Sequence, residues 1–424
     1  MLKFLICNYY MMYDIIIVGG GMSGLYTQYK LLKKYKNKKI LLIERDNRLG
    51  GRVYTHKVIV KGIKHSMEAA AGRFNDNHKC LKKLINEVGL TKQIIEIPSK
   101  ASHIVTKSKW KKNEVSKYSP YDFLDIIIKK TKLTKEMKKM SFSEWLNKNI
   151  DHNIVDYLKA IYPYKDVFKT NAYDALNLYK TDLNNNNTFY VLGGGLYQLV
   201  DGLSKRIKST GGLIKLNTEL KSIDDVEDYY IIKTNKCNYF CKKIVLTGQR
   251  PDLLKIKYLN NLKPLINSVR NTPLCRFYFI FDTKKCSWFK NIKKTITDSR
   301  LSYFIPINYN TGLVMISYVD EHNALYLKKM ETKSKSKLIN FLLKECERIF
   351  GIKKIPKPIW AKSFFWENGV GYWKKGYDSK HIEKKMTKPY RDDNIFICGE
   401  NYSSRYQCWV EGALETSENV LKLV

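Results

Sequence analysis

Residues 13 to 18, YDIIIV, run directly into GGGMSG, and this junction restricts the possible folds more than any other stretch of the chain. An apolar, β-branched run bounded by glycine reads as a buried parallel strand. Gly19, Gly21 and Gly24 then form the pattern G-x-G-x-x-G. The first glycine permits a tight turn, the second lets the backbone approach a pyrophosphate, and the third packs a helix on the strand. LYTQYKLLKKY supplies that helix, with Leu25, Tyr29, Leu32 and Tyr35 in helical period. Its first turn, around Ser23, points unpaired N–H groups and the positive end of the helix dipole at the diphosphate. KILLIE is a second strand. It ends in Glu44, 20 residues beyond Gly24, where a carboxylate can accept both ribose hydroxyls of an adenosine, with Arg45 beside it.

The continuation, RDNRLGGRVYT at 45 to 55, separates one nucleotide cofactor from another. Gly50 and Gly51 allow a second close backbone approach, and Arg52 brings a planar fork suited to phosphate oxygens. Arg48, Gly50, Gly51, Arg52 and Thr55 resemble the R-x-G-G-R-x-x-T signature of the flavin-containing amine oxidase family. A second anchor lies at the far end, where IFICGENYSSRYQCWVEGALETSENVLKLV is similar to the closing block of that family. There a short strand is broken by Gly399, and a helix starts near Glu411. The resemblance implies that Glu400 meets the ribityl or diphosphate region of FAD and that the backbone of Val410 meets the flavin O2 edge. Shorter matches lie between the anchors: the glycine turn of FYVLGGGLYQLVDGL at 189 to 203, IKLNTELKSI at 214 to 223 with Leu220 against the adenine, and IVLTGQRPDLLKI at 244 to 256 with Thr247 and Pro251.

The architecture implied is α/β, with a Rossmann-like FAD-binding domain of glutathione-reductase-like topology and an inserted α+β substrate domain. The cofactor domain is expected from residues 12–75, 190–255 and 386–424. Residues 76–189, largely helical, and 256–385, strand-rich in RFYFIFD and LVMISYV, would build the substrate domain.

The same resemblance nominates residues that face the substrate. Trp409 falls where the family has one aromatic of a cage over the flavin, and Trp373 or Tyr372 where it has the other; the alternative for each is ordinary core packing. Some relatives bind FAD covalently through a Cys in the latter segment; here the matching residue is Tyr372, so FAD is expected to be noncovalent. In NTPLCRFYFIF, Arg276 stands where the family has a lysine that holds a water at the flavin, or else forms a structural ion pair. In EAAAGRF, Gly72 lies beside the flavin, and Arg73 matches the arginine that clamps the substrate carboxylate in L-amino acid oxidases, or contacts flavin or phosphate instead.

Charge and cysteine usage bound the partners. Lys+Arg 76 against Asp+Glu 40 gives +36, a field that attracts anions and disfavours polycationic amines. Nine scattered cysteines without C-x-x-C units suit reduced thiols in a cytoplasmic compartment, and no metal-ligand spacing is readable among them or the seven histidines. No apolar run is long enough to span a membrane, which suggests a soluble protein. The leader MLKFLICNYYMM is a poor secretory signal, with Met11 or Met12 an alternative start. The Lys and Asn bias would suit a large DNA virus or an AT-rich microbe, with host cytoplasm or virion as the location.

The expected activity is that of an FAD-dependent oxidase acting on an amine or amino acid, with molecular oxygen as acceptor. Rival readings are another flavoprotein of the superfamily, such as a protoporphyrinogen oxidase or a desaturase, or a basic flavoprotein that binds nucleic acid nonspecifically through KKTKLTKEMKK and SKWKKNEVSK. Oligomeric state is not readable.

Overall fold

The computed structural model describes residues 12–183 and 187–424; the leader as far as Met11 lies outside the described residues, and the second alternative start, Met12, opens the first strand. Strand β1 (Met12–Val18), helix α1 (Met22–Lys34) and strand β2 (Ile40–Ile43) follow the order expected from the glycine junction. β1 pairs in parallel with β2 on one side and with Asn238–Leu246 on the other. Leu213–Lys215 extends the parallel sheet beyond β2, and Ile395–Ile397 lies alongside the end of Asn238–Leu246. A meander of Leu220–Val226 and Tyr229–Thr234 completes the sheet in antiparallel fashion.

Both faces of this sheet are covered, which is why β2 is apolar at every position. On one face Ile15, Ile17 and Leu42 pack with α1, Gln198–Ser209 and the last helix, Val410–Leu421. On the other, Ile16, Leu41 and Ile43 meet Leu253, Leu259, Ile382 and Met386. The short helix Lys79–Glu87 also buries Leu81, Leu84 and Ile85 in the first of these cores.

A second sheet carries the other half of the molecule, in the order Trp360–Trp373, Val269–Ile280, Leu313–Asp320, Tyr303–Asn308, Thr295–Thr297 and Ser102–Ile104. Strand alternation sorts its residues. Cys275, Phe277 and Phe279 point to one face, where the helices Glu321–Lys333 and Lys335–Phe350 cover them. The expected strand-rich insertion thus also contributes two long helices. Arg276, Tyr278 and Ile280 point to the opposite face, toward Met67 and Ala69. A helical lobe over 108–183 packs around Phe142, Leu146, Leu158, Tyr162 and Tyr179, and takes in Tyr372. Its helix Phe142–Asn149 begins at a capping box in which Ser141 and Glu144 satisfy each other's backbone N–H groups. No described helix is long and apolar enough to cross a membrane.

Candidate active site

A cavity of about 580 Å³ runs from the glycine junction to the inner face of the second sheet. At its nucleotide end, Gly19 adopts φ +112°, and a Cβ there would lie 2.3 Å from Thr247 Oγ1. A Cβ on Gly24 would lie 1.9 Å from the carbonyl oxygen of Gly19, so only glycine lets α1 sit this close to β1. Gly21 differs, because a Cβ there would meet nothing within 4 Å and would project into the cavity. The Gly50–Gly51 turn closes over it, with the Gly50 N–H donating to the Gly20 carbonyl at 2.8 Å. Ser23, Gly51, Leu220 and Arg45 also line the cavity, and Arg45 is paired with Asp252 at 2.6 Å. Glu44 accepts the backbone N–H groups of Gly20 at 2.5 Å and Asp46 at 2.8 Å. Burial raises its carboxyl above the ordinary value, against the pull of those two N–H groups.

Two helix starts face the same space. No side chain caps α1 and no acid stands in its first turn. The helix Val410–Leu421 has no side-chain cap either. Its one first-turn acid, Glu411, turns away and caps Lys79–Glu87 instead, accepting the N–H groups of Cys80 and Leu81 at 2.8 Å each. Both starts therefore keep donors free for an anionic or carbonyl-bearing ligand.

Glu400 ties the chain's distant parts together. One oxygen accepts Arg52 Nη2 at 2.7 Å and Asn401 Nδ2 at 2.9 Å; the other accepts the N–H of Gly371 at 3.0 Å and of Cys408 at 3.3 Å. Burial would raise this carboxyl, but the Arg52 guanidinium overrides it and holds the group below its ordinary value. Arg52 also donates to the Gly369 carbonyl at 3.0 Å. Its fork, expected on phosphate, and the Glu400 carboxylate, expected on the cofactor, are thus largely committed to each other, although both line the cavity with Gly399.

The walls at the far end are aromatic. Tyr372, Trp409 and Val410 line the cavity, and Trp409 stacks on Phe189 at 6.2 Å between ring centres. Trp373 corrects the sequence-based expectation. It is 1% exposed, its indole N–H donates to the Ser403 carbonyl at 3.1 Å, and it belongs to the core beneath the sheet. Successive strand residues point to opposite faces, so placing Tyr372 in the cavity removes Trp373 from it. The residue before the cavity-facing aromatic is then Gly371. Cys408, at φ +73°, also borders the cavity; burial first, and Glu400 second, push its thiol well above the ordinary value.

Gly72, Arg73 and Arg276 lie at this end. Arg73 donates to the Tyr164 hydroxyl at 3.2 Å and lies over the rings of Phe189 at 4.7 Å and Trp409 at 5.6 Å. Arg276 donates to the Glu68 carbonyl at 3.0 Å and lies 4.6 Å from the ring centre of Tyr318, its direct cross-strand partner. It forms no ion pair among the described residues, so the structural-pair alternative falls away. Tyr164, Tyr318 and Asp320 line the same wall and escaped the sequence reading. Alternation in LVMISYVD marks the last two, since Tyr318 and Asp320 share the face opposite to buried Val319.

Asp320 accepts the Lys165 N–H at 3.2 Å, and burial pushes its carboxyl up to about 7. Lys165 itself is pushed down to about 7, also by burial first. A raised carboxyl stabilises the fold below the unfolded value near 4, and that contribution is lost as pH rises through about 7. The Lys165 contribution moves in a separate window, lost as pH falls from above 10 toward 7. Asp320→Asn should therefore gain on the wild type by about 2 kcal/mol between pH 5 and pH 8 in denaturant unfolding. Equal differences at both pH values would refute the assignment.

In the two basic segments Lys109, Lys117, Lys138 and Lys139 are paired with Asp156, Glu114, Asp378 and Glu136.

A nucleotide cradle that opens into an aromatic-walled pocket through two uncapped helix starts is the site of a flavoprotein. The sequence model of the family described as flavin containing amine oxidoreductase matches residues 22–420, and the chain belongs to that family. Over the whole length it is similar to Aplysianin-A of Aplysia kurodai, 22% identical over 96% of this chain and 89% of that protein. Achacin of Lissachatina fulica is 22% identical over 96% of this chain and 92% of its own. Among solved structures, putrescine oxidase bound to putrescine superposes with a TM-score of 0.74 at 15% identity, covering 97% of this chain and 99% of that one. The cofactor is FAD, and the residues present fit it: the open side of Gly21, the free starts of α1 and Val410–Leu421, and Glu44 at the end of β2.

Proposed function

We propose that the protein is an FAD-dependent oxidase of an amine or amino acid, releasing the imine and hydrogen peroxide. The observation that carries this reading is the continuity of one cavity from Gly21 and Glu44 to the rings of Tyr372 and Trp409. The chemistry that bound FAD supplies is two-electron oxidation of the carbon bearing the amine, with molecular oxygen as the final acceptor. The chain's own residues position and dry the reacting group. Tyr372 and Trp409 present flat faces that exclude water and orient an amine nitrogen. Arg73, in contact with the Trp409 ring, offers a planar fork to a substrate carboxylate. Arg276 stands where the family has a lysine and brings a fixed positive charge to the far wall of the cavity.

FAD is held without a covalent bond. Gly371 precedes the cavity-facing Tyr372, and the Cys408 thiol is protonated, its S–H donating to the Gly371 carbonyl at 3.1 Å. Acid precipitation should release all the flavin into the supernatant; flavin left on the pellet would refute this.

The reading itself is tested by anaerobic absorbance of the purified holoenzyme with monoamines, polyamines and L-amino acids. One class should bleach the flavin band, and air should restore it with stoichiometric peroxide. Bound flavin that no amine reduces would move the protein to the desaturase-like reading.

A further inference from the structure

The substrate end of the cavity holds two guanidinium groups that form no ion pair among the described residues. Arg45, Arg52, Arg270 and Arg348 are each ion-paired. Arg73 and Arg276 form no ion pair among the described residues, and both line the one cavity. The Nε of Arg276 is buried without an acceptor among the described residues, its Nη1 donates to the Glu68 backbone carbonyl, and its other close partners, the Tyr318 and Tyr278 hydroxyls, carry no charge. The Glu68 carboxylate acts on it from nearby, but those oxygens are taken by the Leu196 N–H at 2.6 Å and the Thr55 hydroxyl at 2.9 Å. Arg73 has the Tyr164 hydroxyl and two aromatic faces, none of them a charge. The two heads bracket a tyrosine pair: Arg73 bonds Tyr164, Arg276 covers Tyr318, and the two rings are 5.8 Å apart between centres. Buried cations are costly unless an anion meets them, and a guanidinium fork is shaped for a carboxylate.

We propose that the substrate is an α-amino dicarboxylate, one carboxylate seated on Arg73 and the second on Arg276. The proposal rests on the amine-oxidase reading and narrows it. Two separate forks on either side of Tyr164 and Tyr318 match two separate anionic groups. A diamine would set its two ammonium ends against two fixed positive charges. Asp320, which accepts the backbone N–H groups of Lys165 and Asp166, is an acidic group on the same wall that can meet the amine.

The experiment titrates the holoenzyme with glutarate and succinate, which cannot be oxidised, and with butyrate and propionate, following the flavin difference spectrum. A dicarboxylate should bind at least about tenfold more tightly than the matched monocarboxylate, the worth of one charge-assisted contact. Arg276→Gln, checked for retained flavin absorbance, should erase that ratio, while Arg73→Gln should weaken both classes. Equal affinity for the two classes in the wild type overturns the proposal, whether or not the variants fold. In parallel, L-glutamate and L-aspartate should bleach the flavin anaerobically. Glutarate binding without bleaching by any amine would sink the oxidase reading alone, whereas bleaching by neutral amino acids with no dicarboxylate preference would sink this proposal alone.

Discussion

Gly21→Leu is expected to yield a folded chain that purifies without flavin, whereas Gly24→Ala, the smaller change, is expected to lose the fold. The two positions are three residues apart and serve the same motif, but their surroundings are opposite. A side chain at Gly21 enters open space, so the native packing survives and only the cofactor's place is filled. The expected loss in flavin affinity is about 100-fold or more, since several leucine atoms would occupy ligand volume. A methyl group at Gly24 would sit 1.9 Å from the Gly19 carbonyl oxygen, and neither backbone segment can retreat without opening the contact between α1 and β1. Overpacking of this kind costs about 1–3 kcal/mol or more. Thermal unfolding and flavin absorbance of each variant separate the two effects. Similar behaviour of both variants would show that the second glycine does not face the cofactor.

Glu400→Ala should be strongly destabilising. It strips Arg52 of its counter-charge and leaves the N–H groups of Gly371 and Cys408 without their acceptor. Breaking one side of a buried pair costs about 3–5 kcal/mol. Glu400→Gln keeps two acceptor sites on one oxygen and should cost less. Because Arg52 holds the carboxyl below its ordinary value, the stabilisation is present above the unfolded value near 4.3 and disappears as pH falls through the lower folded one. The difference between wild type and Glu400→Gln in denaturant midpoint should accordingly shrink on acidification from pH 6 to pH 3. A constant difference would mean the charge itself contributes nothing.

Where the sequence could be read and where it could not follows from the range of the interactions. The unit from Tyr13 to Glu44 is legible because strand, turn, helix and acid are local, and each glycine answers a steric demand of its immediate neighbours. The role of Glu400 as a knot is not, because its partners at positions 52, 371 and 408 come together only in three dimensions. The sequence leaves Trp373 and Tyr372 as alternatives for the cavity wall, because a shift of one residue on a strand reverses the face and only the fold settles the register. Tyr164 was invisible for another reason: it sits between a helix and a tight turn in a chain with 30 tyrosines, where no periodicity singles it out. Tyr318 and Asp320 were within reach, as polar groups at alternate positions of a largely apolar strand.

The two halves of the FAD cradle also set an order of events during synthesis. The Ser23 hydroxyl donates to the Ala413 carbonyl at 3.2 Å across 390 positions, and α1 lies against Val410–Leu421 in a shared core. A nascent chain that has already placed its glycine turn still exposes one flank of α1 until Val410–Leu421 has been made. Until then that flank, Ser23 and Tyr26 included, lacks its cover and offers a chaperone a surface to protect.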